Sequence, residues 1–356
     1  MTSGIRIAID RGGTFTDCIG FLPDGTTTVV KLLSEDPANY ADAPLEGIRR
    51  ILSTALKDKG EIPRGQLLDT ASIESIRMGT TVATNALLER KGEPMALVVS
   101  KGFGDCLIIG NQSRPRIFDL AIRKPEVLHK IVVEVDERVT LEDYAEDPER
   151  TVTDPTDAEA EDENRQAIVR GTSGEAVRVL QRPNEAKIRE QLTEVWGQGI
   201  RSIAVCLMHA YTFTEHEALV GRIAKEVGFE HVSLSHELMP MIKLVPRATS
   251  VCADAYLTPS IKRYIQGFRD GFEGGLGATA VLGSGDDRGE KITNAAETKG
   301  ARCEFMQSDG GLCDVEKFTG LHAILSGPAG GVVGYARTSW DDETRIPVIG
   351  FDMVGL

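Results

Sequence analysis

Two acids, two glycines and two threonines fall within eight residues, Asp10-Arg11-Gly12-Gly13-Thr14-Phe15-Thr16-Asp17, and this is the stretch best equipped for chemistry. Glycine reaches backbone angles closed to other residues and has no Cβ, so the amides of Gly12, Gly13 and Thr14 can converge on an anion such as a phosphate. The Thr14 hydroxyl is a further donor. Asp10 is expected at the end of a buried strand, where its charge is costly unless a cation meets it. Magnesium carried by a nucleotide is the natural candidate. A plain hairpin turn with Asp10 and Asp17 at its ends fits the same residues, because short glycine motifs also arise by chance.

The elements that must position this turn follow from hydrophobic patterning. Apolar runs on both sides give strand, tight turn, strand. Pro44 opens an amphipathic helix through Leu45, Ile48, Leu52 and Leu56 that closes at Gly60. Residues 73–78 read as a strand leading into Gly79-Thr80-Thr81, where threonine caps a helix running to Arg90. The amides at the start of that helix suit either an anion or an ordinary cap. Residues 95–100 form a continuous apolar run, as a strand buried on both faces should. The loop around Arg114, Arg116 and Asp119 carries groups for a small polar substrate, and a solvated loop has the same composition.

Further along, residues 131–139 are expected as one strand and residues 142–165 as an acidic, solvated insertion. Asn184 caps a helix to Gly199, residues 203–207 form a strand, a helix ends at Gly228, and residues 231–235 form another strand. That alternation argues for a layered α/β fold. Residues 246–272 read as helix interrupted at Pro259, and residues 274–301 as a mobile loop. In Ser326-Gly327-Pro328-Ala329-Gly330-Gly331, Ser326 is a candidate N-cap. The glycines there let either a nucleotide or a neighbouring backbone come close.

A chain of 356 residues is long enough for two domains. Its net charge of −14 disfavours nucleic acid and anionic membranes as partners. The start of the chain has no basic, apolar leader and no stretch is long enough to span a bilayer, so a cytoplasmic location is expected. Six scattered cysteines without a C-x-x-C pair imply buried thiols rather than disulfides or zinc ligands. His209 and His216 read as structural residues rather than a metal pair. Residues 348–355 can be laid over residues 6–13, matching Asp352 to Asp10 and Gly355 to Gly13, with Val354 where a glycine would stand.

Taken together, residues 10–17, 79–90, 112–120, 237–241, 305–312 and 326–331 resemble the hydantoinase A/oxoprolinase family over nearly the whole chain. The resemblance implies an α/β, actin-like ATPase with two ribonuclease-H-like lobes, the second truncated here. Residues 1–228 would form the N-terminal domain and 229–356 the start of the A domain. It implies ATP and magnesium as cofactors and the opening of 5-oxo-L-proline to L-glutamate by carbonyl phosphorylation and water attack. By the same resemblance Asp10 and Asp17 would serve catalysis. Arg11, Gly12, Gly13, Thr14, Thr16, Gly327, Gly330 and Gly331 would hold the nucleotide, Asp10 and Asp352 the metal, and Arg114, Arg116 and Asp119 the substrate. A hydantoinase B-type domain or a second copy is the implied partner. Two other expectations stay open: a hydantoin or another cyclic amide as substrate, and a non-catalytic, regulatory fragment.

Overall fold

The computed structural model describes residues 4–56, 60–111, 118, 124–142, 168–274, 276 and 301–351. The chain divides into two compact units, Met1–Lys91 with Ser260–Leu356, and Gly92–Pro259.

The first unit opens with an antiparallel meander, β1 (Ile5–Arg11), β2 (Phe15–Phe21) and β3 (Thr27–Leu33). Alternation along β1 buries Ile5, Ile7 and Ile9 on one face and leaves Arg6 and Asp10 exposed on the other. The buried face is covered by α1 (Ala43–Ala55), whose N-cap Asp42 accepts the Leu45 amide at 2.9 Å. Contact is close because Gly47 has no side chain: a Cβ there would lie 2.3 Å from Cys18 Sγ. Ile48, Ile51 and Leu52 are essentially sealed in, each contributing roughly 2 kcal/mol by burial. The helix ends at Ala55, short of Gly60. The short β4 (Leu68–Asp69) follows, then β5 (Ile73–Thr80) and α2 (Val82–Leu88). At α2, Thr81 occupies the N-cap without a side-chain capping bond, and the threonine that meets the helix start is Thr80, whose Oγ1 accepts the Val82 amide at 3.3 Å.

In the second unit β6 (Met95–Ser100) has all six residues buried. After the turn α3 (Cys106–Ile109) come β7 (Ile131–Val135) and β8 (Arg138–Leu141), so residues 131–139 are two strands, not one. They part because Asp136 and Glu137 turn the chain and β8 joins a different sheet. Next are β9 (Ile168–Arg170), β10 (Ala176–Gln181) and α4 (Glu185–Gly197), capped by Asn184, whose Oδ1 accepts the Lys187 amide at 3.0 Å. Then come β11 (Ser202–Cys206), α5 (Glu215–Val227), β12 (His231–Leu234) and α6 (Ser235–Leu238). Gly228 ends α5 in the left-handed conformation, φ +111°. Strands β7, β6, β11 and β12 form a parallel sheet in the order β12-β11-β6-β7, and β8, β10 and β9 form an antiparallel one.

The helix expected to break at Pro259 does not break: α7 runs unbroken from Leu244 to Arg269 with the proline inside it. Burial of its neighbours Leu257 and Ile261 holds the segment helical despite the missing N–H. The chain then returns to the first unit with β13 (Phe272–Glu273), β14 (Arg302–Met306), β15 (Leu312–Asp314), α8 (Gly320–Ala323) and α9 (Ser326–Thr338). The sheet of this unit has the order β15-β14-β5-β1-β2-β3, with β1, β5 and β14 mutually parallel. Residues 348–351, expected to repeat the first strand, make no strand here, and Ile349 and Phe351 are 90% and 82% exposed. They pair with no strand among the described residues, and an apolar run without a partner is not a strand.

Most of the acidic insertion 142–165 and of the loop 274–301 lies outside the described residues. No helix among the described residues is long and apolar enough to cross a membrane. Five cysteines are buried thiols and Cys313 is half-buried, with no disulfide among them.

Candidate functional site

In the first unit the parallel strands β1, β5 and β14 end on the same side of the sheet, where open α/β sheets receive ligands. Asp10 lies at the end of β1, opposite Asp17 on β2 and beside Gly79 on β5. Its side chain is exposed, which overturns the expectation of a buried charge. The alternation that buries Ile9 turns Asp10 to the open face. A Cβ on Gly79 would sit 3.5 Å from Asp10 Oδ1, so that glycine keeps space beside the carboxylate. Asp17 faces Asp10 across the hairpin, and Lys31 offsets the like-charge pair by reaching Asp17 at 2.8 Å.

The connecting turn is pinned from below. The Gly12 amide donates to Phe15 O at 3.0 Å, and Ser34 donates its hydroxyl to Gly12 O at 2.7 Å and its amide to Thr14 O at 2.9 Å. Thr16 is fully buried, its hydroxyl 2.9 Å from Ser34 Oγ. A Cβ on Gly12 would lie 2.9 Å from Phe15 O, so this turn requires glycine there. What remains is a pair of amides, Gly13 and Thr14, on exposed residues and without an acceptor among the described residues. Two backbone donors held rigidly beside an exposed acid can bind an oxyanion together with its cation.

Arg11 takes a different course from the one expected of a nucleotide contact. It lies on the β1 face opposite Asp10, its guanidinium 5.0 Å from the Tyr264 ring of α7 and its buried Nε without a partner. Burial raises the Asp42 carboxyl above its usual range, and the nearby Arg11 charge works against that rise.

The start of α9 is fastened to the same strand ends. Ser326 is the first helical residue rather than the N-cap, and its buried hydroxyl donates to Thr80 O at 2.8 Å. Thr81 donates its amide to Arg11 O at 3.0 Å, and Thr84 donates its hydroxyl to Ile324 O. Gly327 lies against Thr81 and Gly330 against Met306, whereas Gly331 faces Tyr335 of its own helix. Gly310, φ +83°, in the β14–β15 turn lies against Val333 of α9.

The structure therefore gathers Asp10, Gly12, Gly13, Thr14, Asp17, Gly327 and Gly330 around neighbouring strand ends, and turns Arg11, Thr16 and Gly331 away. Arg114, Arg116, Asp119 and Asp352 lie outside the described residues. Sequence reasoning missed Ser34 and Tyr264, and read Thr80 only as a helix-capping candidate. Ser34 carries no signal, since a serine after a strand reads as an ordinary turn residue.

Comparison with known proteins is consistent over the whole chain. The family model described as the hydantoinase/oxoprolinase N-terminal region matches residues 6–228, and the one described as hydantoinase/oxoprolinase matches residues 247–355. The chain belongs to the hydantoinase/oxoprolinase family. A 5-oxoprolinase of Saccharomyces cerevisiae is 51% identical over 99% of this chain and 25% of its own length. One from Dictyostelium discoideum is 47% identical over 100% of the chain and 26% of its own. The chain thus spans about a quarter of the length of these curated relatives. Its α/β fold is similar to that of an ATP-dependent caprolactamase from Pseudomonas jessenii, TM-score 0.62 at 20% identity, over 94% of this chain and 41% of that one.

Proposed function

We propose that this hydantoinase/oxoprolinase chain supplies the phosphate-binding half of an ATP-dependent cyclic amide hydrolase acting on 5-oxo-L-proline. The observation that carries the reading is the pinned turn at residues 12–15. It leaves the amides of Gly13 and Thr14 beside the exposed Asp10, at the ends of parallel strands. The names of the yeast and Dictyostelium relatives support the substrate. The first unit is read as a ribonuclease-H-like lobe of an actin-like ATPase, on the strength of an antiparallel β1–β3 meander extended by parallel β5 and β14. On this reading the N-terminal domain ends near residue 228, the protein is cytoplasmic, and a hydantoinase B-type domain or a second copy completes the assembly.

Magnesium bound to a nucleotide takes only one or two protein carboxylates, and Asp10 suits that role, with Asp352 as its proposed counterpart. When bound, the ion neutralises charge on the transferred phosphoryl group. Gly13 and Thr14 N–H groups hold the phosphate oxygens in place, and Gly327 gives the nucleotide room beside Thr81. A lactam carbonyl is a poor electrophile because its nitrogen shares electrons with it. Moving the terminal phosphoryl group of ATP to the carbonyl oxygen makes the ring carbon open to water; collapse of that adduct breaks the C–N bond and leaves an acyl phosphate, from which a second water releases phosphate and L-glutamate. Arg114, Arg116 and Asp119 are proposed to choose the ring, and a hydantoin would be distinguished there.

Calorimetry of the chain with magnesium-ATP tests the clasp: binding that Gly13→Val removes is expected, and binding untouched by that change refutes it. Release of ADP dependent on 5-oxo-L-proline, followed in the yeast relative with its matching glycine replaced, tests the substrate. Unchanged turnover there counts against the reading.

A further inference from the structure

Between β3 and α1 the chain passes through Asn39-Tyr40-Ala41-Asp42, and the last of these caps the helix without using up its charge. Asp42 Oδ1 accepts the Leu45 amide at 2.9 Å, whereas Oδ2 has no hydrogen-bond partner among the described residues. Tyr40, two residues earlier, donates its hydroxyl to Leu33 O at 2.7 Å. The carboxyl is therefore carried on a short segment anchored at both ends, by that bond and by the helix.

Three segments of the first unit close on a space beside it. Gly271, just after α7, passes directly against the first turn of α1, where a Cβ on it would run into Leu45. The same glycine accepts the Leu68 amide on its carbonyl at 2.9 Å, which draws residues 64–68 in from the third side. Between them lies a cavity of about 310 Å³ whose lining includes Asp42, Leu45, Arg64, Leu67, Leu68 and Asp270. Small-molecule sites run from roughly 300 to 1,000 Å³ and combine an apolar wall with a few polar groups, as this one does.

The charges in that lining are of both signs and do not cancel each other. Arg64 is exposed and has neither a hydrogen bond nor an ion pair among the described residues. Burial holds the Asp42 carboxyl above its usual range, as expected of a charge short of a partner. An anion would answer Arg64 and be repelled by Asp42 and Asp270. A metal cation would find too few oxygens among the leucines, since hard cations take about six or more, and would leave Arg64 unanswered. A small molecule with an ammonium and a carboxylate answers both, and Leu45, Leu67 and Leu68 offer an apolar wall to the rest of it.

We infer that this cavity is a binding site for a free α-amino acid with an aliphatic side chain. Its ammonium meets Asp42 Oδ2, its carboxylate meets Arg64, and its side chain lies against Leu45, Leu67 and Leu68. The inference does not rest on the function proposed above. The nitrogen of 5-oxo-L-proline is acylated and offers no ammonium, and L-glutamate would turn a second carboxylate onto the leucines, where losing its water is costly.

Calorimetry of the full 356-residue chain with L-leucine, N-acetyl-L-leucine, L-leucinamide and L-glutamate tests it. L-Leucine is expected to bind, and the acetylated form, which lacks the ammonium, at least about tenfold more weakly. The amide lacks the carboxylate and should bind about fivefold more weakly, a modest loss because Arg64 is exposed. L-Glutamate should bind less tightly than L-leucine, and excess 5-oxo-L-proline should not displace L-leucine. Asp42→Asn keeps an oxygen for the Leu45 amide and removes the charge, so the chain should fold and lose at least about tenfold in L-leucine affinity. Arg64→Gln should leave the melting temperature unchanged and erase the difference between L-leucine and its amide. The inference is overturned by no L-leucine binding to the folded chain, by equal binding of the acetylated form or of L-glutamate, by displacement with 5-oxo-L-proline, or by unchanged affinity in Asp42→Asn. If Asp42→Asn fails to fold, Arg64→Gln and the ligand series on the parent decide. Magnesium-ATP titrated into the same sample keeps the two readings apart: nucleotide binding without L-leucine binding sinks this inference alone, and the reverse sinks the clasp alone.

Discussion

The parallel strands of the first unit carry Asp10 and Gly79 near their ends, beside a turn whose outward groups are main-chain amides, while β6 of the second ends in Ser100 and β12 is followed at once by Ser235, whose side chains are sealed into a hydrogen-bonded network. One end is built from backbone and open to solvent; the other is built from side chains and dry. The consequence is a different kind of dependence on sequence. A backbone site needs glycine at fixed places, because a Cβ on Gly12 would meet Phe15 O at 2.9 Å. A side-chain site needs partners from distant segments: Ser100 reaches Glu137 across 37 residues, and Glu137 reaches His216 across 79. The first should fail when geometry is disturbed, the second when a charge is removed.

The largest effect is therefore expected in the second unit. Arg247→Met strips the guanidinium from Leu207 O and Ser235 Oγ and leaves both buried acceptors without that donor, which should cost about 3–5 kcal/mol in urea unfolding. A loss below about 1 kcal/mol would mean that the network does not hold these strand ends. Next is Gly12→Val in the first unit, for which magnesium-ATP affinity should fall about 100-fold, or about 2.7 kcal/mol, by calorimetry. If binding survives, the pinned turn is not what positions the amides.

This contrast also explains what was legible in the sequence. The turn at residues 12–15 could be read because its chemistry is local and its glycines are contiguous. The strand at residues 95–100 was plain because burial on both faces demands an unbroken apolar run, and all six residues are buried. Pro259 misled because its missing N–H is a local penalty, and the packing that overrides it comes from elsewhere in the fold. Asp10 was placed at a strand end correctly but on the wrong side of the burial line, since one residue of alternation separates it from Ile9. The network around Arg247 left no trace in the linear pattern, where His216 and Glu217 are simply polar residues near the start of a helix. The two compact units could not be read either, because the chain leaves the first, completes the second and returns.

A smaller effect is expected where α9 meets β5. Ser326→Ala leaves Thr80 O buried without its donor and should cost about 1–2 kcal/mol. Nucleotide affinity should fall with it if the start of α9 borders the phosphate, whereas a stability loss at unchanged affinity would confine Ser326 to packing.

The finest separation of the two units comes from pH, because each holds a buried pair that fails on a different side of neutrality. In α1, hydrogen bonds from Arg49 hold the Glu46 carboxyl down at about 2, against an ordinary 4.5. The folded state therefore binds that proton less readily than the unfolded chain, so the stabilisation is complete above pH 4.5 and drains away as the pH falls toward 2. In the second unit the Glu217 hydrogen bond raises the His236 pKa above its ordinary 6.5. Its stabilisation is complete below pH 6.5 and is lost as the pH rises through the folded value. Melting temperatures across pH 2–9 should show Glu46→Gln flattening the acid limb alone and His236→Gln flattening the limb above pH 6.5 alone. If each change altered both limbs, the two units would be titrating as one cooperative body, and the contrast between an open backbone end and a sealed side-chain end would not extend to their stability.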